Sequence, residues 1–165
     1  MSLSTDSGIR ALAVRVAERL LGAGRSLVVA ESCTGGWVAK ACTDLPGSSR
    51  WFLGGVVTYS DDLKLGLLGV SADTLRLQGA VSQAVVREMA VGALERLGGD
   101  ISVAVSGIAG PGGGTPDKPV GLVWIGLSAE QVDEAWCNIW SGGRLQVKEQ
   151  SAQAAMQMLA DYLSA

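Results

Sequence analysis

Short β-branched runs alternating with segments of helical period set the tightest limit on the fold of this chain. From Ile9, apolar positions fall at Leu12, Ala13, Val16 and Leu20, with Arg10, Arg15, Glu18 and Arg19 opposite. That spacing predicts a helix, opened by Asp6 or Ser7 as cap and stopped near Gly22 or Gly24. Residues 26–30 then read as a strand, 34–43 as a helix begun at once after it, and 53–59 as a second strand interrupted by Gly54-Gly55. Short helices are expected over 61–68 and 71–77. A stronger one opens at Ser82, where Val85, Val86, Met89, Ala90, Ala93, Leu94 and Leu97 share a face. Ile101, Val103 and Val105 alternate with small residues as a strand does. Residues 120–128 and 132–141 are separated only by Ala129-Glu130-Gln131. So short a link makes them an antiparallel hairpin, because a parallel pair needs a crossover of about a dozen residues or more. A last helix is expected from near Arg144, with Ala152, Ala155, Met156, Leu159 and Leu163 on one stripe.

Helix-separated strands argue for a parallel portion of sheet, and the terminal hairpin makes the sheet mixed. The expected fold is α/β: a three-layer α/β/α sandwich around a mixed, mostly parallel sheet of about five strands ending in an antiparallel hairpin. With 165 residues and 48% apolar composition, one domain over residues 1–165 is expected.

Composition also excludes function classes. A net charge of −3 gives no overall attraction to nucleic acid or to an anionic membrane. The charge-free run 119–129 is far shorter than the roughly 20 residues a bilayer span needs. Met1-Ser2-Leu3-Ser4-Thr5-Asp6 lacks the basic and apolar regions of a signal peptide. Cys33, Cys42 and Cys137 are odd in number and form no Cys-x-x-Cys pair, which fits a reduced cytoplasmic protein without structural zinc. There is no histidine, the usual general base and commonest metal ligand, and no carboxylate set with ligand spacing, so neither metal nor cofactor is expected.

In α/β sheets, ligands favour the crevice outside the carboxyl ends of the strands. Three small polar segments lie at such ends: Glu31-Ser32-Cys33-Thr34-Gly35-Gly36, Thr58-Tyr59-Ser60 and Ser106-Gly107-Ile108-Ala109-Gly110. Their convergence on one pocket is the central structural expectation. Ser32 stands at a strand-to-helix transition, where it can cap the helix or act as a nucleophile. The N–H groups opening that helix are candidate oxyanion or phosphate donors, and Gly35 and Gly36 would let a ligand approach the backbone. Without histidine, a nucleophilic serine needs another base, and lysine is the leading substitute. Lys64 sits early in its helix, where a cation opposes the dipole. It is either a solvated neighbour of Asp61 and Asp62 or a buried amine able to accept a proton. Tyr59 either supports such a pair or packs as an ordinary strand aromatic. Arg144, after Ser141-Gly142-Gly143, can clamp a phosphate or stay a surface arginine. Cys33 is the rival nucleophile, although a cysteine without histidine is more often a small packed residue. The loop 110–114 is neither a Walker loop nor a dinucleotide fingerprint.

Together, Ala30-Glu31-Ser32-Cys33-Thr34-Gly35-Gly36, Pro46-Gly47-Ser48-Ser49, Val57-Thr58-Tyr59-Ser60 followed by Lys64, Gly79-Ala80-Val81-Ser82, Ser106-Gly107-Ile108-Ala109-Gly110-Pro111 and Lys118-Pro119-Val120-Gly121 resemble the CinA C-terminal domain family. The match runs in order from about Ile9 to the C-terminus. The family includes stand-alone amidases, so the resemblance implies conversion of nicotinamide mononucleotide to nicotinate mononucleotide and ammonia, a step in pyridine-nucleotide salvage. It implies Ser32 as nucleophile, Lys64 as its base and Tyr59 as a supporting residue. It further implies substrate contacts from the segment of Ser106 and Gly107 and a phosphate contact from Arg144, beside Thr34, Gly35 and Gly36 as candidate substrate-binding residues at the helix mouth. Longer members carry an N-terminal molybdopterin-binding-like domain, which has no counterpart in these residues and whose activity is not expected. The expected partner is a small-molecule nucleotide, with neither nucleic acid nor membrane, in a homodimer or higher homo-oligomer. The competing reading is a domain of the same fold that binds a nucleotide or a protein without turning it over.

Overall fold

The computed structural model describes residues 3–165, with side chains from residue 7 onward. In chain order the elements are α1 (Leu3–Ala23), β1 (Leu27–Glu31), α2 (Trp37–Thr43), β2 (Phe52–Val57), α3 (Asp61–Leu68), α4 (Ala72–Gln78), α5 (Gln83–Leu97), β3 (Ile101–Gly107), β4 (Leu122–Ala129), β5 (Val132–Ile139) and α6 (Arg144–Tyr162). A single 3₁₀ turn, Ser48–Arg50, precedes β2.

The strands form one five-stranded sheet in the order β2-β1-β3-β4-β5. β1 pairs in parallel with both β2 and β3, while β4 is antiparallel to β3 and to β5. Among the described residues only β4 therefore runs against the rest. Helices cover both faces, which gives the expected three layers. Leu27 and Val29 of β1 join Ile101, Val103 and Val105 of β3 in a core shared with α1, α2 and α6. Val28, Ala30 and Ala104 point the other way and pack with Val85, Val86, Met89 and Ala93 of α5. The two-residue period of the strands thus builds two cores from one sheet. Among the described residues, no helix is long and apolar enough to cross a membrane.

Two expected boundaries are corrected. A cap at Asp6 or Ser7 does not open the first helix, because α1 already runs from Leu3. The helix expected from Thr34 starts only at Trp37, after Gly35 and Gly36 take the left-handed φ values of 63° and 99°. Those conformations break a right-handed helix and suit glycine. By contrast, α3 spans the residues expected. Ser60 caps it by accepting from the Leu63 N–H, and Gly69 ends it in the left-handed conformation.

The register across β2, β1 and β3 positions the site. Glu31 lies opposite both Val57 and Val105, so the next residues, Thr58 and Ser32 just past β2 and β1 and Ser106 near the end of β3, form a row. The row is tied by Thr58 N–H donating to the Glu31 carbonyl at 2.8 Å and Ser32 N–H donating to the Val105 carbonyl at 3.0 Å. The three polar segments therefore converge, as adjacency of their strands requires.

Candidate active site

The side-chain alternation of β1 carries through its C-terminal end. Glu31 falls on the α2 side, and Ser32 on the side of α3. The Glu31 carboxylate is buried and accepts three backbone N–H groups, from Gly36 (3.0 Å), Val38 (3.2 Å) and Ala39 (2.8 Å). It caps α2 from the preceding strand and pins the intervening turn. This corrects the expectation that the N–H groups opening α2 await a ligand: Gly36, Val38 and Ala39 serve Glu31, and Trp37 N–H donates to the Thr34 carbonyl. The N–H groups of Cys33 and Thr34 make no hydrogen bond to another described residue.

Lys64 is 1% exposed, so it is not a solvated surface lysine. Its Nζ donates to Ser32 Oγ at 3.2 Å and to the Thr58 carbonyl at 2.7 Å. Burial holds the amine below the ordinary lysine value, against the opposing pull of Asp61. The effect is to favour the neutral amine, the form with a lone pair to offer a hydroxyl hydrogen. Ser32 does not cap α2, whose N-cap is Gly36. Cys33 is a poor rival: burial pushes its thiol up to about 12, which leaves little thiolate near neutral pH.

Tyr59 is 58% exposed and makes no hydrogen bond to Ser32 or Lys64. Its hydroxyl instead accepts from Arg144 at 2.8 Å, while the same guanidinium donates to the Gly110 carbonyl at 2.8 Å. Arg144 thus bridges the segment after β2 to the loop after β3. Among the described residues, the buried Thr34 and Thr58 hydroxyls have no hydrogen-bond partner. Ser106 is buried, with Oγ donating to the Ala80 carbonyl at 2.8 Å, so its hydroxyl secures the chain before α5. At Gly107 a Cβ would run into Val123 and the Leu122 carbonyl, so the close approach of β4 already requires glycine there.

Three participants escaped the sequence reading: Glu31, the Thr58 carbonyl and Lys148. An acid just ahead of a helix start was a usable signal for Glu31. Lys148 follows Arg144 by four residues on α6, and its Nζ lies 3.4 Å from where a Gly35 Cβ would stand. A groove of about 810 Å³ between β5 and α6, walled by Trp136, Trp140, Met158 and Tyr162, contains none of Ser32, Tyr59, Lys64 or Arg144. Its size does not locate the chemistry.

Comparison with known proteins identifies the family. The model of the CinA C-terminal domain matches residues 9–163. The chain is 46% identical over 158 residues to the nicotinamide-nucleotide amidohydrolase PncC of Escherichia coli K12, covering 94% of each. A CinA-like protein of Desulfotalea psychrophila is 47% identical over 150 residues, which span 90% of this chain but 36% of that one. A CinA-superfamily crystal structure from Klebsiella pneumoniae superposes with a TM-score of 0.91 at 38% identity, covering 94% of this chain and 98% of the other. A match of this length and identity, on the expected three-layer fold, places the chain in the CinA C-terminal domain family.

Proposed function

We propose that this chain is a nicotinamide-nucleotide amidohydrolase, releasing ammonia from nicotinamide mononucleotide by way of a Ser32–Lys64 dyad and an acyl-enzyme. The observation that carries the reading is the 3.2 Å contact between a buried lysine amine and a serine hydroxyl at the strand ends. Support for the substrate comes from the similar PncC proteins of Shigella flexneri and Escherichia coli, which are nicotinamide-nucleotide amidohydrolases.

In the proposed reaction, neutral Lys64 takes the Ser32 proton as Oγ bonds to the carboxamide carbon. The Cys33 and Thr34 N–H groups are the candidate donors to the oxyanion that forms. The C–N bond then breaks, and the Lys64 ammonium gives its proton to the departing nitrogen, which leaves as ammonia. Water attacks the resulting ester with Lys64 again as base. The ester C–O bond breaks, Lys64 returns the proton to Ser32 Oγ, and the carboxylate product leaves. The Thr58 carbonyl, on the other side of Nζ, holds the amine toward Ser32 throughout.

The test is ammonia release. Ser32→Ala and Lys64→Ala are each expected to abolish it while the far-ultraviolet circular dichroism stays that of the parent. Full activity in either variant sinks the dyad. Calorimetric binding of nicotinamide mononucleotide by the parent protein without turnover would favour the non-catalytic binding module instead. The proposal extends to one domain over residues 1–165, acting in the cytoplasm as a homodimer or larger assembly without nucleic-acid or membrane partners. Three unpaired cysteines support the compartment, and exposed Trp136 and Ile139 support self-association. Sedimentation equilibrium checks the latter, and a monomer across the micromolar range would refute it.

A further inference from the structure

Lys148 is a half-buried cation in an unusual place. It stands in the second turn of α6, four residues after Arg144, so the two side chains rise from the same helix face. Like charges at that spacing destabilise a helix, and cations near its N-terminus oppose the dipole. No acidic residue relieves either effect. The first turn of α6 has none, and among the described residues no carboxylate pairs with Arg144 or Lys148. Helix stability therefore does not account for the pair.

Its surroundings point to a ligand. The Lys148 ammonium overhangs Gly35, in the turn that carries Ser32, and its charge is felt at the Cys33 thiol. Arg144 is already oriented by Tyr59 and the Gly110 carbonyl, from the two neighbouring segments. Thr34, just before Gly35, buries a hydroxyl that no described residue satisfies. The one carboxylate in the turn, Glu31, has its oxygens turned to three N–H groups of α2. The side of the site facing α6 thus presents two cations that no carboxylate pairs with among the described residues, in a chain whose net charge is −3.

Building on the amidase reading above, we infer that Lys148 is a specificity-determining residue: with Arg144 it receives the terminal phosphate of the substrate, so that the enzyme selects a phosphorylated nucleotide over the nucleoside. A phosphate monoester carries close to two negative charges at neutral pH and presents three acceptor oxygens, which matches a guanidinium and an ammonium set side by side.

The experiment compares parent, Lys148→Met, Lys148→Gln and Lys148→Arg in steady-state hydrolysis of nicotinamide mononucleotide, with ribose 5-phosphate as competing probe. Loss of a charged hydrogen bond predicts a KM raised about ten- to hundredfold in the Met and Gln variants, with kcat changed less than about threefold. The inhibition constant of ribose 5-phosphate should rise in step, and Lys148→Arg should recover most of the loss. A fall in kcat at unchanged KM would place Lys148 at the reacting carbonyl and overturn the inference. So would an unchanged inhibition constant for ribose 5-phosphate. If the parent releases no ammonia, the amidase reading fails by itself. Calorimetric binding of ribose 5-phosphate to parent and Lys148→Met then still decides the role of Lys148, weaker binding by the variant supporting it and equal binding refuting it.

Discussion

Glu31, the last residue of β1, and Lys64, in the first turn of α3, are both buried acidic or basic side chains, and the protein treats the two in opposite ways. Glu31 is surrounded by donors: three N–H groups converge on its carboxylate, and it fixes backbone. Lys64 finds only two acceptors among the described residues, a carbonyl and the Ser32 hydroxyl, and burial pushes its amine toward the neutral form. A buried group supplied with partners becomes scaffold, whereas one left short of them keeps a lone pair for chemistry. Ser32 lies between the two, on a turn held by the first and within reach of the second.

The largest effect that would test this contrast is at Lys64. Replacing it with Met is expected to lower hydrolysis by about 10²–10⁴-fold, the range for loss of a general base. The same change should not destabilise the fold near neutral pH. Because the folded-state value lies below the ordinary 10.5, the unfolded chain binds the extra proton in the window between them. Parent stability therefore rises with pH across that window, and the Met variant lacks this rise. Urea unfolding of both proteins at pH 7 and pH 10 measures it. A parent less stable at pH 10, relative to the variant, would contradict the assigned shift.

Glu31→Ala should do the reverse. Three N–H groups lose their acceptor, which costs roughly 3 kcal/mol in denaturant unfolding if each loses about 1 kcal/mol. Activity should fall with it as the turn carrying Ser32 loosens. A variant as stable as the parent would break the comparison.

How much of this contrast was readable beforehand depended on whether its causes were local. The bounds of α3 were legible because Ser60, Asp61, Asp62 and Gly69 all lie in the same short stretch. The alternation of Ile101, Val103 and Val105 likewise announced a strand with two faces. The start of α2 was misread because its cap comes from Glu31, five residues before Gly36 and on a different element. The resemblance pointed to Ser106 and Gly107 as ligand contacts, and local pattern could not reveal their partners Ala80 and Val123, which come from distant elements. Ser32 and Lys64 were nameable as a pair from the absence of histidine and from the resemblance; their contact came from the register of β1 against β2.

Two smaller effects sharpen the picture. Tyr59→Phe removes the hydroxyl that orients Arg144, at an exposed position, and should cost about three- to tenfold in kcat/KM with kcat the less affected. An equal loss in kcat would move Tyr59 into the reacting centre. The smallest concerns Asp61, whose charge holds the Lys64 amine up against burial. Asp61→Asn should lower the Lys64 pKa further and move the acid limb of the kcat/KM profile to lower pH. A limb displaced upward, or left in place, would detach that limb from Lys64.

The order of the chain separates two duties. Residues 31–64 hold the proposed proton relay, while α6 brings its cations from the far C-terminal end. Relatives that share the first stretch and differ in the opening turns of the last helix would keep the same bond-breaking step and change only what they accept. Grafting those turns between homologues is then a direct route to redirected amidases.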